Sequence, residues 1–174
     1  MDTILTRRSI RRYTDKPVPP ELVEQLLRAG MAAPSACNEP PWHFLVIDDR
    51  AQLDLIPTIH PYARMILEAS VAVIVCSEPA LKTASETVKD YWVQDCSAAA
   101  ENMLLAAHGL GLGGVWLGVY PRPERVEPIK KLFALPEGIT PLCILSFGYP
   151  AEHKEPSNRY DPTRVHHNRW QEPK

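Results

Sequence analysis

Apolar residues recur at spacings of three and four from Asp90 to His108: Trp92, Cys96, Ala99, Met103 and Ala107, with Leu110 just beyond. That stripe predicts the longest helix of the chain. Its run of small residues, Ser97 to Ala100, would let another helix, or a second copy of itself, approach closely. A second helix is expected after "DKPVPPE". Pro20 suits a first helical position, Glu21 suits the positive end of the dipole, and Leu22, Val23, Leu26 and Leu27 form one face. Short helices are expected at "DTILTR" (2–7), "RAQLDLI" (50–56), "PYARMIL" (61–67) and "PERVEPIKKLF" (123–133). "WHFLVID" (42–48) is a candidate buried strand, and "VAVIVC" (71–76) is a better one: it is dense in β-branched residues and lacks alternation, which predicts burial on both faces. Further strands are expected at 113–119 and in "PLCILSFGYP". The polar stretch 77–90 reads as a loop, a candidate flap over a site. This order of elements predicts an α+β or α/β layer protein, with helices on a sheet.

Composition narrows this picture. At 174 residues, with 45% hydrophobic and 23% charged content, the chain suits one soluble domain covering 1–174. It has no apolar run of membrane-spanning length and no signal-like start, so a cytoplasmic protein is expected. Cys37, Cys76, Cys96 and Cys143 have neither metal-clamp nor redox-pair spacing. The net charge of −2 argues against a nucleic-acid partner, which calls for a broad basic surface. Eighteen prolines, roughly twice the usual share, punctuate short elements.

Against that balance, "RRSIRR" (7–12) stands out. Arginine forks beside a hydroxyl suit a phosphate, and a solvated basic face is the plain alternative. "APSACNEPPW" (33–42) offers Ser35 and Asn38 in a proline-bounded turn. Gly109, Gly111 and Gly114 spell G-x-G-x-x-G, but a helix precedes them and a strand follows. A dinucleotide loop needs the reverse order, so these glycines are expected to end the helix in a left-handed turn. His166 and His167 are adjacent and give no metal site. With Val165 and Trp170 they read as part of a polar C-terminal arm.

"RRSIRRYTDKPVP", "LLRAGMAAPSACNEPPWHFLVI", "NMLLAAHGLGLGGVWLG" and "FGYPAE", in this order, resemble the FMN-dependent nitroreductase family over nearly the whole chain. The resemblance implies an α+β fold with a central, mainly antiparallel sheet flanked by helices. It also implies an intertwined homodimer with FMN at the interface. Arg7, Ser9 and Arg11 match the family's N-terminal flavin grip, Arg7 and Ser9 near phosphate and ribityl, Arg11 near the N1/O2 edge. Arg8 occupies a motif position whose backbone stays near. Pro34, Ser35 and Asn38 match the loop lent by the other subunit. Trp116, Leu117 and Gly118 match the segment along the ring, with a backbone amide near N5. Arg159 fits the C-terminal arginine that completes the phosphate site, with Arg164 competing, and residues 150–174 would pack on the partner as an arm. The chain lacks the helical insert of longer members, so 58–66 and 83–92 would shape the substrate pocket. Tyr62, Tyr91 and Trp92 are its candidate wall residues, or else core aromatics.

The implied activity is a two-step, ping-pong exchange, in which NAD(P)H reduces the flavin and a nitroaromatic, quinone or related acceptor is then reduced in the same place. No side chain stands out as a catalytic acid or base. Relatives that use flavin for dehalogenation or flavin modification, and a non-catalytic flavin-binding module, are the alternatives. The sequence does not choose the acceptor, or between NADH and NADPH.

Overall fold

The computed structural model describes residues 1–78 and 91–170. Four antiparallel strands form one sheet: β1 (Trp42–Ile47), β2 (Val71–Ser77), β3 (Gly113–Gly118) and β4 (Thr140–Gly148), in the order β1-β2-β4-β3. Among the described residues, five α-helices accompany it: α1 (Asp2–Thr6), α2 (Pro20–Met31), α3 (Arg50–Ile59), α4 (Trp92–Gly109) and α5 (Pro123–Leu132). The α+β expectation and the antiparallel sheet are therefore met.

All seven residues of β2 are buried because the sheet is covered on both faces. Val71, Val73 and Val75 face a core shared with Leu26 of α2 and Cys96, Ala100 and Met103 of α4. Ala72, Ile74 and Cys76 face the opposite core with Leu53 and Ile56 of α3 and Ile129 of α5. Small residues let α2 and α4 approach closely. A Cβ on Gly30 would lie 3.0 Å from Met103 Cγ, and Asn102 Nδ2 donates to Ala29 O at 3.1 Å. Cys76, Cys96 and Cys143 are buried free thiols; burial pushes Cys76 and Cys96 up to about 12.

Two boundaries differ from expectation. "PYARMIL" forms only a single 3-10 turn, Arg64–Leu67, since the chain bends at His60–Ala63 before it. The long helix starts at Trp92; Asp90 and most of the expected flap lie outside the described residues.

The glycine-rich entry to β3 follows the predicted turn. Gly111 adopts φ +77°, and the N–H groups of Leu112 and Gly111 donate to the carbonyls of Ala107 (2.8 Å) and His108 (3.1 Å). This is a Schellman end to α4. β3 emerges from it as the edge strand, and its outer edge takes the N-terminal segment. Ser9 bridges Gly114, and Ile10 N donates to Gly114 O at 3.0 Å.

Candidate functional site

The basic run is held by Tyr13, whose ring lies in the core. Its hydroxyl lies 2.8 Å from both the Ile10 carbonyl, to which it donates, and Ser146 Oγ, and burial pushes the phenol well above its ordinary pKa. Gly148 lies beneath the ring: a Cβ there would come within 2.9 Å of Tyr13 Cδ1. Thr14 N donates to Tyr149 O and Ala151 N to Arg12 O, both at 2.9 Å, so the chain beyond β4 is stitched to the basic run. Arg11 N donates to Glu152 Oε1 at 2.6 Å. That bond chiefly, with help from Lys154, holds the Glu152 carboxyl below its usual range. Lys154 Nζ in turn donates to Ser9 O at 2.8 Å, and Arg8 donates to Glu155 O.

This stitching builds a cavity of about 330 Å³ lined by Arg7, Arg8, Ser9, Arg11, Lys154, Ser157 and Arg159. Five cations and two hydroxyls line it. Arg7 is partly neutralised by Glu101 at 3.1 Å, and Lys154 by Glu152 at 3.0 Å. The guanidinium groups of Arg11 and Arg159 have no protein acceptor among the described residues. Unpaired arginine forks gathered around a hydroxyl suit a phosphate monoester. Arg164 points elsewhere: it is 86% exposed and pairs with Asp161 at 3.3 Å.

Arg11 also borders a second cavity of about 430 Å³, together with His60, Tyr62, Arg64, Met65, Trp116, Leu117, Gly118 and Arg125. The floor is the far end of β3. A Cβ on Gly118 would meet nothing within 4 Å, so a flat group has room to approach the backbone there. The two cavities share Arg11 and thus offer an anion grip at one end and a ring-sized space at the other. FMN, which joins a phosphate to a flat ring system, fits that donor set.

Of the residues singled out in the sequence, Arg7, Arg8, Ser9, Arg11 and Arg159 meet in the first cavity, and Trp116, Leu117 and Gly118 line the second. Pro34, Ser35 and Asn38 border neither within one chain. Their loop is nonetheless strongly shaped. Cys37 (φ +54°) and Asn38 (φ +58°) both adopt left-handed backbone, a strain that persists only where surroundings enforce it. Asp95 does part of that work, accepting from Ala36 N at 3.1 Å. Burial pushes its carboxyl up and the Ala36 bond partly offsets this. Tyr62 lines the ring-sized cavity, whereas Trp92 is a core residue, edge-on to Tyr120 at 4.7 Å. Lys154, Ser157, His60 and Arg125 were not singled out. They belong to no motif, and only the fold of residues 150–157 and the ends of α3 and α5 brings them in.

The sequence model of the Nitroreductase family matches residues 4–149. The chain belongs to the nitroreductase family. A relative in Methanothermobacter thermautotrophicus, provisionally named NADH dehydrogenase/NAD(P)H nitroreductase, is 49% identical over 170 residues, covering 98% of this chain and 87% of the relative. A crystal structure from Bacteroides thetaiotaomicron with the same provisional name aligns with a TM-score of 0.90 at 44% identity, covering 97% of this chain and 96% of that one. An FMN-dependent nitroreductase from Clostridium difficile aligns with a TM-score of 0.88 at 30% identity, covering 98% of this nitroreductase-family chain and 100% of that one. The match embraces both cavities, apart from the lining residues beyond 149 that the C-terminal segment contributes.

Proposed function

We propose that this protein is an FMN-dependent oxidoreductase that takes electrons from NAD(P)H and passes them to nitroaromatics, quinones or related acceptors. The observation that carries the reading is the pair of cavities joined at Arg11, one with unpaired guanidinium groups and one open over Gly118. Kinship with NAD(P)H nitroreductases and flavin reductases supports it. When bound, FMN supplies hydride chemistry in two half-reactions, accepting from the nicotinamide and giving to the acceptor.

The chain's own residues bind and orient. Arg7, Arg8, Ser9, Lys154, Ser157 and Arg159 would hold the phosphate end. Arg11 borders both cavities and keeps a positive charge beside the ring end, where added electrons build negative charge. Trp116, Leu117 and Gly118 would supply the backbone floor. No side chain here is assigned a proton-transfer role.

The working unit of this reading is a homodimer in the cytosol. The loop of Pro34, Ser35 and Asn38 borders neither cavity of its own chain, which fits a loop given to a second copy. Ile4, Leu5, Met31, Tyr160 and Trp170 are large apolar side chains left exposed, surface that a dimer would cover. No described helix is long and apolar enough to cross a membrane.

The test is turnover. The FMN-loaded protein should oxidise NADH or NADPH in the presence of menadione or nitrofurazone, with parallel-line kinetics for a two-step exchange. FMN-loaded protein that oxidises neither nucleotide with either acceptor would leave only a flavin-binding module.

A further inference from the structure

The carbonyl of Gly118, at the end of β3, receives two side-chain hydrogen bonds. Arg125 Nη1 donates to it at 2.8 Å from the first turn of α5, and His60 Nε2 at 3.0 Å from the end of α3. The same peptide group is held on its other side, because Val119 N donates to Leu142 O at 3.1 Å. His60 is 2% exposed. A carbonyl can only accept, so Nε2 carries the hydrogen. Tyr62 N donates to Nδ1 at 3.3 Å, so Nδ1 carries none. Both ring nitrogens are thus engaged, and the ring orientation is fixed. Arg125 is steadied by the Tyr62 ring, 5.3 Å from its centroid.

The alternation of an antiparallel strand gives this clamp a consequence. Val119 N faces β4, whereas Gly114 O faces outward to Ile10 N. Gly118 O also faces outward. Trp116 and Gly118 therefore direct their N–H groups to the outer edge, and neither has a protein acceptor among the described residues. Among the described residues, that edge is anchored at Gly114, by the N-terminal segment, and at Gly118 O. Between them lie the free amides that border the ring-sized cavity.

We propose that His60 and Arg125 are positioning residues that fix the outer edge of β3 through the Gly118 carbonyl, holding the N–H groups of Trp116 and Gly118 toward the flavin. This rests on the reading that FMN occupies these cavities. The residues act through backbone and touch no reacting atom. An error of about 1 Å in such positioning costs on the order of a hundredfold in rate.

The experiment compares FMN-loaded wild type with His60→Leu and His60→Gln. Glutamine can donate to Gly118 O and accept from Tyr62 N; leucine can do neither. In His60→Leu, we expect kcat to fall at least tenfold with the acceptor KM within about twofold. We also expect the Val119 amide to exchange faster by hydrogen-exchange mass spectrometry or NMR, and the flavin midpoint potential to shift. His60→Gln should restore all three toward wild type. Two results would overturn the proposal: a leucine variant with wild-type kcat and Val119 exchange, or a glutamine variant as impaired as leucine. If the protein binds no FMN, the underlying reading fails instead, and Val119 exchange still reports whether the clamp exists.

Discussion

The two ends of β3 carry the same residue type for opposite reasons. At its start, Gly113 and Gly114 are glycines because nothing else fits: a Cβ on Gly113 would lie 2.7 Å from Ile10 Cγ2, and one on Gly114 would lie 2.8 Å from Phe147 Cδ1. At its end, a Cβ on Gly118 would meet nothing within 4 Å. The first pair lets the N-terminal segment lie against the sheet, so it serves the fold. The last leaves space beside an arginine-lined cavity, where the proposed flavin would lie. A glycine's meaning lies in its surroundings, and one sequence letter cannot separate the two.

The sharpest way to break this contrast is to fill both ends. Gly114→Val should destabilise by about 3 kcal/mol, at the upper end for overpacking, read as a fall in the denaturant midpoint. A wild-type midpoint would mean that Phe147 yields and the close approach is not required. Next in size, Arg159→Ala should weaken FMN binding by about 2 kcal/mol, roughly thirtyfold, by isothermal titration. Its control, Arg164→Ala, should change it by less than about 0.5 kcal/mol, because Arg164 is exposed and engaged with Asp161. The reverse ranking would move the phosphate grip to Arg164. At the ligand end, Gly118→Ala should keep the wild-type midpoint yet lose about 1 kcal/mol of FMN affinity, roughly fivefold. A destabilised variant with intact affinity would place Gly118 with the packing glycines.

The smallest effect tests the stitching of the basic run. The Glu152 carboxyl is depressed in the folded protein, so its contribution to stability is present above its unfolded pKa. That contribution is lost as pH falls through the folded value. Glu152→Gln should therefore flatten the stability profile between about pH 5 and 3 relative to wild type, measured by thermal melts. Parallel profiles would show that Arg11 N gains nothing from the charged form.

Much of this architecture was legible in periodicity. The stripe from Trp92 to Leu110 gave α4, and the segments 42–48 and 71–76 gave two strands, of which only the unbroken apolar run 71–76 is buried on both faces; in β1 His43 is exposed. "PYARMIL" was misread because its apolar spacing suits a helix while the bend at His60–Ala63 leaves room for one 3-10 turn. The lining of the first cavity was partly legible, since Arg7, Arg8, Ser9 and Arg11 stand in one short run. Lys154 and Ser157 were not, because they reach the cavity only through the hydrogen bonds of 150–155 to residues 8–12. His60 and Arg125 were hidden for a related reason: their common partner is a backbone carbonyl, which has no signature in side-chain types.

The central claim is that the two cavities joined at Arg11 hold FMN, and the absorption spectrum of the purified, full-length protein tests it most directly. The account predicts a yellow protein with flavin bands, one FMN released per chain on denaturation, and recovery of the bands when FMN is added back. A colourless protein that binds no added FMN would contradict it.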